Sequence, residues 1–411
     1  MRVLLIDVNY KYSSTGKIVH DLAKELKKSN HDVRVLFGRG ESIESDIAVR
    51  VASVWEVYFH ALMTRLTGLV GFFSYFATKR LLKQIKEFKP DVIHLHELHG
   101  YYVNYSEVVR FLKSSNIPVV WTFHCEFAYT GKCGYAYDCE KWKSGCSSCP
   151  QIKEYPSSLY FDFTRYMFNE KKKDFDGFHN LTIVTPSHWL ARRVKQSFLS
   201  DFDIRVVYNG VDTDSIFFPR NSDYLVEKYG LHRKKIVLAV APNLMDERKG
   251  GQWILDLASY YGDDVFFVLI GVKEEVVLNC PMNVVCLPRT KNQSELAEFY
   301  SLADVLILTS QKETFSLVTA EGLSCGLPVI GFDSGAPAEV APAGYGLFSV
   351  YGDVVALKNN LDAFLKGDIE FKNKEECRSF AVDNYSNRTM MDAYFCIYTE
   401  VLAKSEVLIN V

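Results

Sequence analysis

The chain has 411 residues, 48% of them hydrophobic and 24% charged, with a formal net charge of −3. This composition is ordinary for a soluble globular protein, and the length allows two domains with sizeable cores. No stretch reaches about 18 uncharged apolar residues and the N-terminus lacks signal-peptide architecture, which argues against a membrane-spanning or secreted chain. We therefore expect a cytoplasmic location.

Positive charge is concentrated in the first half of the chain. Residues 1–200 carry 28 Lys and Arg against 20 Asp and Glu, whereas residues 201–411 carry 19 against 30. The basic half is expected to meet something anionic, such as lipid at the inner face of the cytoplasmic membrane or a pyrophosphate-linked molecule. Nucleic acid is not expected, because the sequence has neither a groove-reading motif nor a dense Arg and Lys tract.

Short β-rich apolar runs alternate with helical segments, which predicts an α/β fold with parallel sheets covered by helices. Two such sheets are expected to face each other across a cleft. The run from Arg205 to Asp212, a strand ending in an Asn-Gly turn, is interpreted as the crossing between two domains. The predicted strands are 2–8, 33–37, 91–96, 118–123 and 181–185 in the first half and 235–241, 265–270, 283–287, 304–309 and 328–332 in the second.

Ser, Thr and Gly residues open the first predicted helix, in the run from Tyr12 to His20. A helix start of this kind lets a phosphate approach closely at Gly16, and Lys17 would add positive charge. A plain helix N-cap is the alternative.

Residues 51–80 are rich in Trp, Tyr, Phe and Leu, interrupted by Arg65, Lys79 and Arg80. They predict amphipathic helices that lie on a bilayer and contact the lipid part of a substrate. An ordinary helix pair packed on the sheet is the alternative.

Histidines cluster at two predicted strand ends. Alternation places His94 and His96 on one face of the strand at 91–96, where they either line the cleft or bind metal together with His99. His124 ends the following strand, where the sheet holds a side chain rigidly while the loop leaves it exposed. A buried core histidine is the alternative for His124.

Five of the ten cysteines lie between residues 125 and 149. Cytosolic thiols stay reduced, so a cluster of four, Cys133, Cys139, Cys146 and Cys149, indicates a structural zinc site in a polar, Gly-rich insertion at 125–150. Unligated thiols and redox pairing are the alternatives, because only Cys146 and Cys149 have the usual C-x-x-C spacing.

Basic residues precede two glycines in the run from Pro242 to Gly251. Arg248 and Lys249 at such a helix start suit a diphosphate, one as a planar fork and the other as a point charge. Solvated surface residues are the alternative.

Two carboxylates, Glu313 and Glu321, stand eight residues apart between the predicted strands at 304–309 and 328–332. The helix between those strands would place its N-terminus at the carboxyl edge of a parallel sheet, where unpaired amides favour a phosphate. Carboxylates beside this position suit hydroxyl groups, which donate hydrogen bonds to them. Phosphate together with a polyol describes a nucleotide sugar.

The segment from Glu313 to Ile330 resembles the E-x7-E motif of the retaining GT-B glycosyltransferases of family 4, and the resemblance extends over nearly the whole chain. It implies two Rossmann-like domains, an acceptor-binding domain at 1–205 and a nucleotide-sugar-binding domain at 206–387. A final helix at 388–411 is expected to cross back to the first domain.

The resemblance also implies roles for individual residues. Glu313 would contact the transferred sugar and Glu321 the nucleotide ribose, with Lys249 on the diphosphate and His124 facing the reacting sugar. Asn243 stands where the family has an arginine, so Arg248 would have to compensate. The remaining donor-site residues are expected to be the glycine loop with Gly16 and Lys17, the amides of Phe315, Ser316 and Leu317, and Arg289 near the base and ribose.

The sequence thus predicts a retaining glycosyltransferase that moves a hexosyl unit from a nucleotide diphosphate sugar to a hydroxyl of a lipid-linked bacterial surface glycan. Catalysis is expected to need no metal or other cofactor, because no sheet-edge Asp suited to Mg²⁺ is apparent. A nucleotide-sugar epimerase or hydrolase on the same scaffold is one alternative, and a non-catalytic sugar-nucleotide or glycan-binding protein is another.

Overall fold

The computed structural model describes residues 1–41, 45–273 and 280–409, with side chains described as far as residue 405. The chain forms two compact units, the first comprising Met1–Val207 and Met391–Val411 and the second Tyr208–Met390. Each unit contains one parallel sheet with helices, which confirms the predicted α/β fold.

The sheet of the first unit has seven strands. They are β1 (Arg2–Asp7), β2 (Asp32–Phe37), β3 (Ala48–Arg50), β4 (Val92–Leu95), β5 (Val119–Thr122), β6 (Leu181–Thr185) and β7 (Asp203–Val206), in the spatial order β3-β2-β1-β4-β5-β6-β7. The helices are α1 (Ser14–Lys28), α2 (Val54–Thr67), α3 (Tyr75–Phe88), α4 (Tyr105–Ser114), α5 (Thr164–Phe175) and α6 (His188–Lys195). β1 is a continuous apolar run, with Val3, Leu4, Leu5 and Ile6 all fully buried, because helices cover both faces of a parallel sheet.

The sheet of the second unit has six strands. They are β8 (Lys235–Val240), β9 (Val265–Ile270), β10 (Val284–Leu287), β11 (Val305–Leu308), β12 (Val329–Asp333) and β13 (Gly346–Val350), in the order β10-β9-β8-β11-β12-β13. The helices are α7 (Asp223–Tyr229), α8 (Gly251–Ala258), α9 (Gln293–Leu302), α10 (Leu317–Ser324), α11 (Pro337–Val340), α12 (Val354–Lys366) and α13 (Lys374–Tyr385). Alternate residues of β8 enter different clusters, Ile236 and Leu238 one and Val237 and Ala239 the other, so a core lies on each face of this sheet.

The last helix, α14 (Asn387–Ile409), begins in the second unit and supplies its later residues to the first. Tyr394 and Tyr398 are buried there, and their hydroxyls lie 2.8 Å from Thr122 Oγ1 and 2.6 Å from His94 Nδ1, respectively. These bonds satisfy polar groups in the interior of the first sheet.

Three strands differ from those predicted. The sequence reading missed β3, which has only three residues, and β13, which follows a Gly-containing turn and begins with Gly346. The predicted strand from Arg205 to Asp212 is wrong beyond Val206, where β7 ends. Beyond the strand, Gly210 lies against α14, where a Cβ would stand 2.5 Å from Asn387 Oδ1.

Candidate active site

The topology of the second unit places the predicted donor residues at one edge of its sheet. The strand order reverses between β8 and β11, which lie side by side although β9 and β10 separate them in sequence. Loops that leave a parallel sheet at such a reversal diverge and open a crevice at the carboxyl ends of the strands. The loop after β8 carries Arg248 and Lys249, and the loop after β11 carries Glu313.

The Thr309 side chain, directly after β11, holds the loop after β8 in place. Thr309 Oγ1 donates hydrogen bonds to the carbonyls of Lys249 and Gly250 at 2.8 and 3.1 Å. Gly250 has a φ of +69°, and a Cβ at this position would stand 2.8 Å from the Thr309 carbonyl oxygen. Glycine is therefore required here both for backbone conformation and for the close approach of the two loops.

Lys249 and Glu313 meet at this edge. The Lys249 ammonium nitrogen lies 2.5 Å from Glu313 Oε1, and their side chains are 32% and 16% exposed. A half-buried ammonium can transfer its interaction to a phosphate, and the carboxylate can accept hydrogen bonds from sugar hydroxyls. The pair therefore combines a group that can bind phosphate with a group that can bind sugar hydroxyls, and a nucleotide sugar requires both.

The backbone of Glu313 is held on its other side by the segment that follows β12. Its amide donates to the Ser334 carbonyl at 2.9 Å, and its carbonyl accepts from the Ala336 amide at 3.0 Å. Three successive strand ends thus fix the position of one carboxylate, which is the rigidity that a binding group needs.

Helix α10 starts directly after Glu313 with an unusual backbone conformation. Ser316 has φ +82° and caps the helix, its hydroxyl accepting from the Thr319 amide at 3.4 Å. Phe315 is 2% exposed and anchors the turn. The first-turn amides, including that of Leu317, have no acceptor within the helix and suit an anion.

Glu321 lies on α10 and is 8% exposed. The Tyr300 hydroxyl donates to its Oε2 at 3.1 Å, and burial raises the pKa of Tyr300 well above its usual range, with the neighbouring carboxylate adding to the effect. A carboxylate has about four lone-pair sites, so it can accept hydrogen bonds from several donors, including the hydroxyls of a ligand.

The other predicted donor residues have different surroundings. Arg248 binds Asp246 through two hydrogen bonds of 3.0 and 2.8 Å and lowers the pKa of that carboxyl. Arg289 donates to the Pro242 carbonyl at 2.8 Å, next to the exposed Asn243. These residues therefore line the loop after β8, and Asp246 is the Arg248 partner that the sequence reading missed.

In the first unit, the loop after β1 has the predicted helix start. Ser13 caps α1, and its hydroxyl accepts from the Gly16 amide at 3.2 Å, with Lys17 one residue further on. The sequence reading missed Asp7, at the end of β1, which accepts from the Asn9 and Glu97 amides at 3.1 and 3.0 Å. Burial raises the pKa of Asp7 to about 7.

The histidines form a buried group at the ends of β4 and β5. His96 Nδ1 lies 2.9 Å from His124 Nε2, and burial lowers the pKa of His124 to about 4. His94 lies beside His96 with ring centroids 4.2 Å apart and the rings tilted by 31°, in agreement with the predicted shared face. His94 also contacts Tyr398 and Thr122, so it fills a core position.

A second group surrounds Glu97 in the first unit. His99 forms an ion pair with Glu97, and the Cys125 thiol donates to Glu97 Oε2 at 3.4 Å. Their ligand-type atoms all lie within 4.8 Å of one another, so this trio could offer three ligands to a metal ion. The Cys133, Cys139, Cys146 and Cys149 side chains form a separate group that lines one small cavity.

Comparison with known proteins identifies the two units by sequence. Residues 15–215 match the model described as Glycosyltransferase Family 4, and residues 225–381 match Glycosyl transferases group 1. The chain belongs to the family 4 glycosyltransferases. In this glycosyltransferase, the Lys249–Glu313 pair and the start of α10 both lie within the group 1 match.

Relatives of this glycosyltransferase include one that is named for colanic acid biosynthesis. This chain is 28% identical to a protein of Escherichia coli (strain K12) named as a colanic acid biosynthesis glycosyl transferase, WcaC. The match covers 61% of this chain and 62% of that protein. The match thus spans less than two thirds of that relative's length.

Solved structures share the fold. Sucrose-phosphate synthase from Thermosynechococcus elongatus superposes with a TM-score of 0.71 at 16% identity, covering 98% of this chain and 99% of that one. Anabaena HepE in complex with UDP-glucose gives a TM-score of 0.65 at 15% identity, covering 98% and 100% of the two chains.

The described helices of the glycosyltransferase include none with the length and apolarity needed to cross a bilayer.

Proposed function

We propose that the chain is a retaining glycosyltransferase that transfers a hexosyl unit from a nucleotide diphosphate sugar to a hydroxyl of a lipid-linked bacterial surface glycan. The observation that carries the proposal is the Lys249–Glu313 pair, held at the sheet reversal immediately before the N-terminus of α10. In this proposal, residues 1–205 bind the acceptor and residues 206–387 bind the donor. The helix at 388–411 belongs with the acceptor-binding domain.

In this proposal Lys249 exchanges Glu313 for the donor diphosphate, and Glu313 becomes free to bind sugar hydroxyls. Amides at Phe315, Ser316 and Leu317 add positive potential at the leaving group. Displacement occurs on the face of the sugar from which the nucleotide leaves. The C–O bond to the leaving phosphate breaks, the bond to the acceptor oxygen forms, and a phosphate oxygen takes the acceptor's proton.

The remaining donor contacts follow from burial and position. Glu321 binds the ribose, because a carboxylate accepts hydrogen bonds from hydroxyl groups. This buried carboxylate already accepts one from the Tyr300 hydroxyl. His124 binds the transferred sugar as a neutral imidazole, since burial keeps its pKa near 4. Gly16 and Lys17 approach the diphosphate, whereas Arg248, Asn243 and Arg289 contribute from the loop after β8.

The donor assignment is tested by thermal unfolding of the purified protein with UDP-, GDP-, ADP- and dTDP-linked sugars. A ligand that binds only the folded state raises the melting temperature, and we expect one nucleotide family to do so. The relative solved with UDP-glucose makes uridine the first choice. No shift with any donor at 10 mM would contradict the proposal, and turnover of the donor without an acceptor would favour a hydrolase or epimerase.

Contact with a lipid surface is proposed for α2, whose apolar side faces solvent. Trp55, Tyr58 and Phe59 are 83%, 68% and 58% exposed, while the polar His60 and Thr64 are buried. Aromatic side chains beside basic residues favour the interface of an anionic membrane. This arrangement supports a lipid-linked acceptor that is met at the inner face of the membrane.

Vesicle sedimentation tests this contact with the full chain. We expect binding to vesicles containing anionic lipid, and its loss in the double variant Trp55→Ser, Phe59→Ser. Tyr260→Ser is the matched control, because Tyr260 is 67% exposed in the second unit and should leave binding unchanged. Equal binding by the double variant and the wild type would contradict the proposal.

Catalysis is proposed to proceed without a metal ion, because Lys249 and the helix amides supply the positive charge that Mg²⁺ would otherwise provide. Initial rates measured with and without added Mg²⁺ should be equal. A strict requirement for a divalent cation would contradict this part of the proposal.

A further inference from the structure

The side chains of Cys133, Cys139, Cys146 and Cys149, here called the cysteine quartet, all line one small cavity of the first unit. All four are free and partly buried. The Cys133 and Cys149 thiols are hydrogen-bonded to each other, and Cys146 Sγ accepts from the Gly131 amide at 3.2 Å. Amide donors to sulfur are typical neighbours of thiolates.

The segment that carries the quartet has little regular structure of its own. Between residues 130 and 163, all of which the structure describes, one 3₁₀ turn, Lys141–Lys143, interrupts an otherwise irregular chain. Backbone of this kind needs an additional constraint to hold one conformation. A metal bound by four side chains supplies such a constraint in small irregular segments.

Two buried lysines flank the quartet. Lys132, 1% exposed, donates to the carbonyls of Ile152, Glu154 and Pro156 at 3.1, 2.8 and 2.7 Å. Lys171, 3% exposed, donates to the carbonyls of Phe127 and Thr130 at 2.5 and 3.0 Å. These carbonyls orient the ammonium groups without cancelling their charge, and a buried charge is costly unless it is compensated.

The charge of the surroundings suits a thiolate-bound cation. Four thiolates around one divalent cation carry a net charge of −2, and the Lys132 and Lys171 ammonium groups beside them would partly offset that charge. Thiolate sulfurs in a tetrahedral set are the ligands that Zn²⁺ takes in structural sites. We propose that the cysteine quartet binds one structural zinc ion: four Zn–S bonds form, and the four thiol protons leave to solvent.

The zinc site has a consequence for the surface next to it. The Cys149 amide donates to Asp162 Oδ2 at 2.6 Å, and the Leu159 amide donates to the Arg65 carbonyl of α2 at 2.8 Å. The quartet therefore orders a segment whose Leu159, Tyr160 and Phe161 are 63%, 73% and 54% exposed. Zinc would hold these apolar side chains beside the exposed aromatic residues of α2.

The test begins with protein purified without chelator or thiol-reactive reagents. Plasma emission spectrometry should find one zinc ion per chain. Titration of the native protein with a mercurial reagent should release that zinc, detected with a metallochromic dye, as four thiols are modified. Folded protein with less than about 0.2 zinc per chain, or with a Cys133–Cys149 disulfide found by mass spectrometry, would overturn the proposal.

Variants separate the zinc site from the transferase reaction. Cys146→Ser with Cys149→Ser should abolish zinc binding and increase protease cleavage within residues 130–163 at least tenfold. Cys396→Ser, an exposed cysteine of α14, is the control that should keep one zinc. Full zinc in the double variant would overturn the proposal, whereas absence of transferase activity in protein that binds zinc would bear only on the proposed function.

Discussion

The two units have sheets of corresponding strand order, but they bury very different sets of ionisable groups. Among the described residues, the second unit buries one carboxylate, Glu321, and its other charged site residues lie in partly exposed loops. The first unit buries ten Asp, Glu, His and Lys side chains: Asp7, His60, His94, His96, Glu97, His124, Glu126, Lys132, Lys171 and Asp174.

Accessible charged groups in the second unit and buried charged groups in the first unit serve different purposes. Lys249 and Glu313 can exchange each other for a ligand, because both are accessible and their backbones are fixed. In the first unit, Glu126 is fully buried and accepts hydrogen bonds from the Arg193 guanidinium at 2.5 Å and from the Ala136 amide at 2.7 Å. An ion pair of this kind holds a loop in place. Breaking it costs free energy, because the buried carboxylate would be left without its partner. In these two examples, the second unit uses charge to exchange ligands and the first uses it to fix a loop.

The largest effect expected from this comparison is on turnover. Glu313→Gln and Lys249→Ala should each lower the rate of nucleoside diphosphate release by about 10²-fold or more, the loss of one transition-state contact, with little change in melting temperature. The assay would use the donor selected by thermal shift and a membrane extract of lipid-linked glycans.

The matched control is Lys358→Ala. Lys358 pairs with Asp362 at 2.6 Å with side chains 32% and 25% exposed, so it resembles the Lys249 pair in geometry but lies on α12. Its turnover should equal that of the wild type. Near-normal rates in both site variants would refute the active-site assignment.

Acid should destabilise the first unit before the second. Burial lowers the pKa of His60 and His124 to about 4 and that of His94 to about 3. These depressed values contribute stability above the ordinary pKa of 6.5, and this stability is lost as the pH falls from 6.5 toward 4. For His124 the loss is on the order of 3 kcal/mol. Asp7, with its raised pKa of about 7, acts in the opposite direction because its contribution falls as the pH rises.

Hydrogen exchange at pH 7.5 and pH 5 measures this difference by segment. Protection of β4 and β5 should fall more than protection of β8 and β11. His232 is the only histidine of the second unit and lies at its surface, so that unit serves as the internal reference. Equal losses in the two units would show that the buried histidines do not set acid stability.

Glu321→Gln should raise the KM for the donor by about tenfold with a smaller change in kcat, because a charge-assisted hydrogen bond to a hydroxyl contributes roughly 1.5 kcal/mol or more. Tyr300→Phe keeps the carboxylate and removes only its hydroxyl donor, so its effect on KM should be smaller. Titration of the nucleoside diphosphate by calorimetry provides a check that does not depend on the acceptor. An unchanged KM in Glu321→Gln would exclude the ribose role.

The smallest expected effect concerns the start of α10. Ser316→Ala removes the helix cap and should lower the free energy of unfolding by about 1 kcal/mol. Ser316→Gly also loses the hydroxyl, but glycine adopts φ +82° without strain and should cost less. Urea unfolding compares the two variants, and a glycine variant less stable than the alanine variant would contradict this reading of the backbone.

The second unit was the easier one to predict from sequence. Glu313 and Glu321 belong to one local motif and Lys249 to another, and the two motifs follow strands that parallel topology places side by side. The partners of these residues were less predictable, because Asp246 and Tyr300 carry no motif and become relevant only through side-chain direction.

Several contacts of the first unit could not be predicted from the sequence. His124 was identified at a strand end, but its contact with His96 depends on the pairing of β4 with β5. Asp7 and Glu97 are 90 residues apart and are joined by a hydrogen bond that no spacing rule encodes. The short β3 and the glycine-led β13 were missed because three residues, or a glycine, give too weak a strand pattern.

The late position of Tyr394 and Tyr398 in the chain has a consequence for biosynthesis. Their hydroxyls complete the hydrogen bonds of Thr122 and His94 in the interior of the first sheet. A ribosome delivers these tyrosines only after the whole second unit has been translated. Until the second unit has left the exit tunnel, Thr122 and His94 have each other as partners but lack the two tyrosine hydroxyls. The final folding step of the first unit is therefore expected to be post-translational.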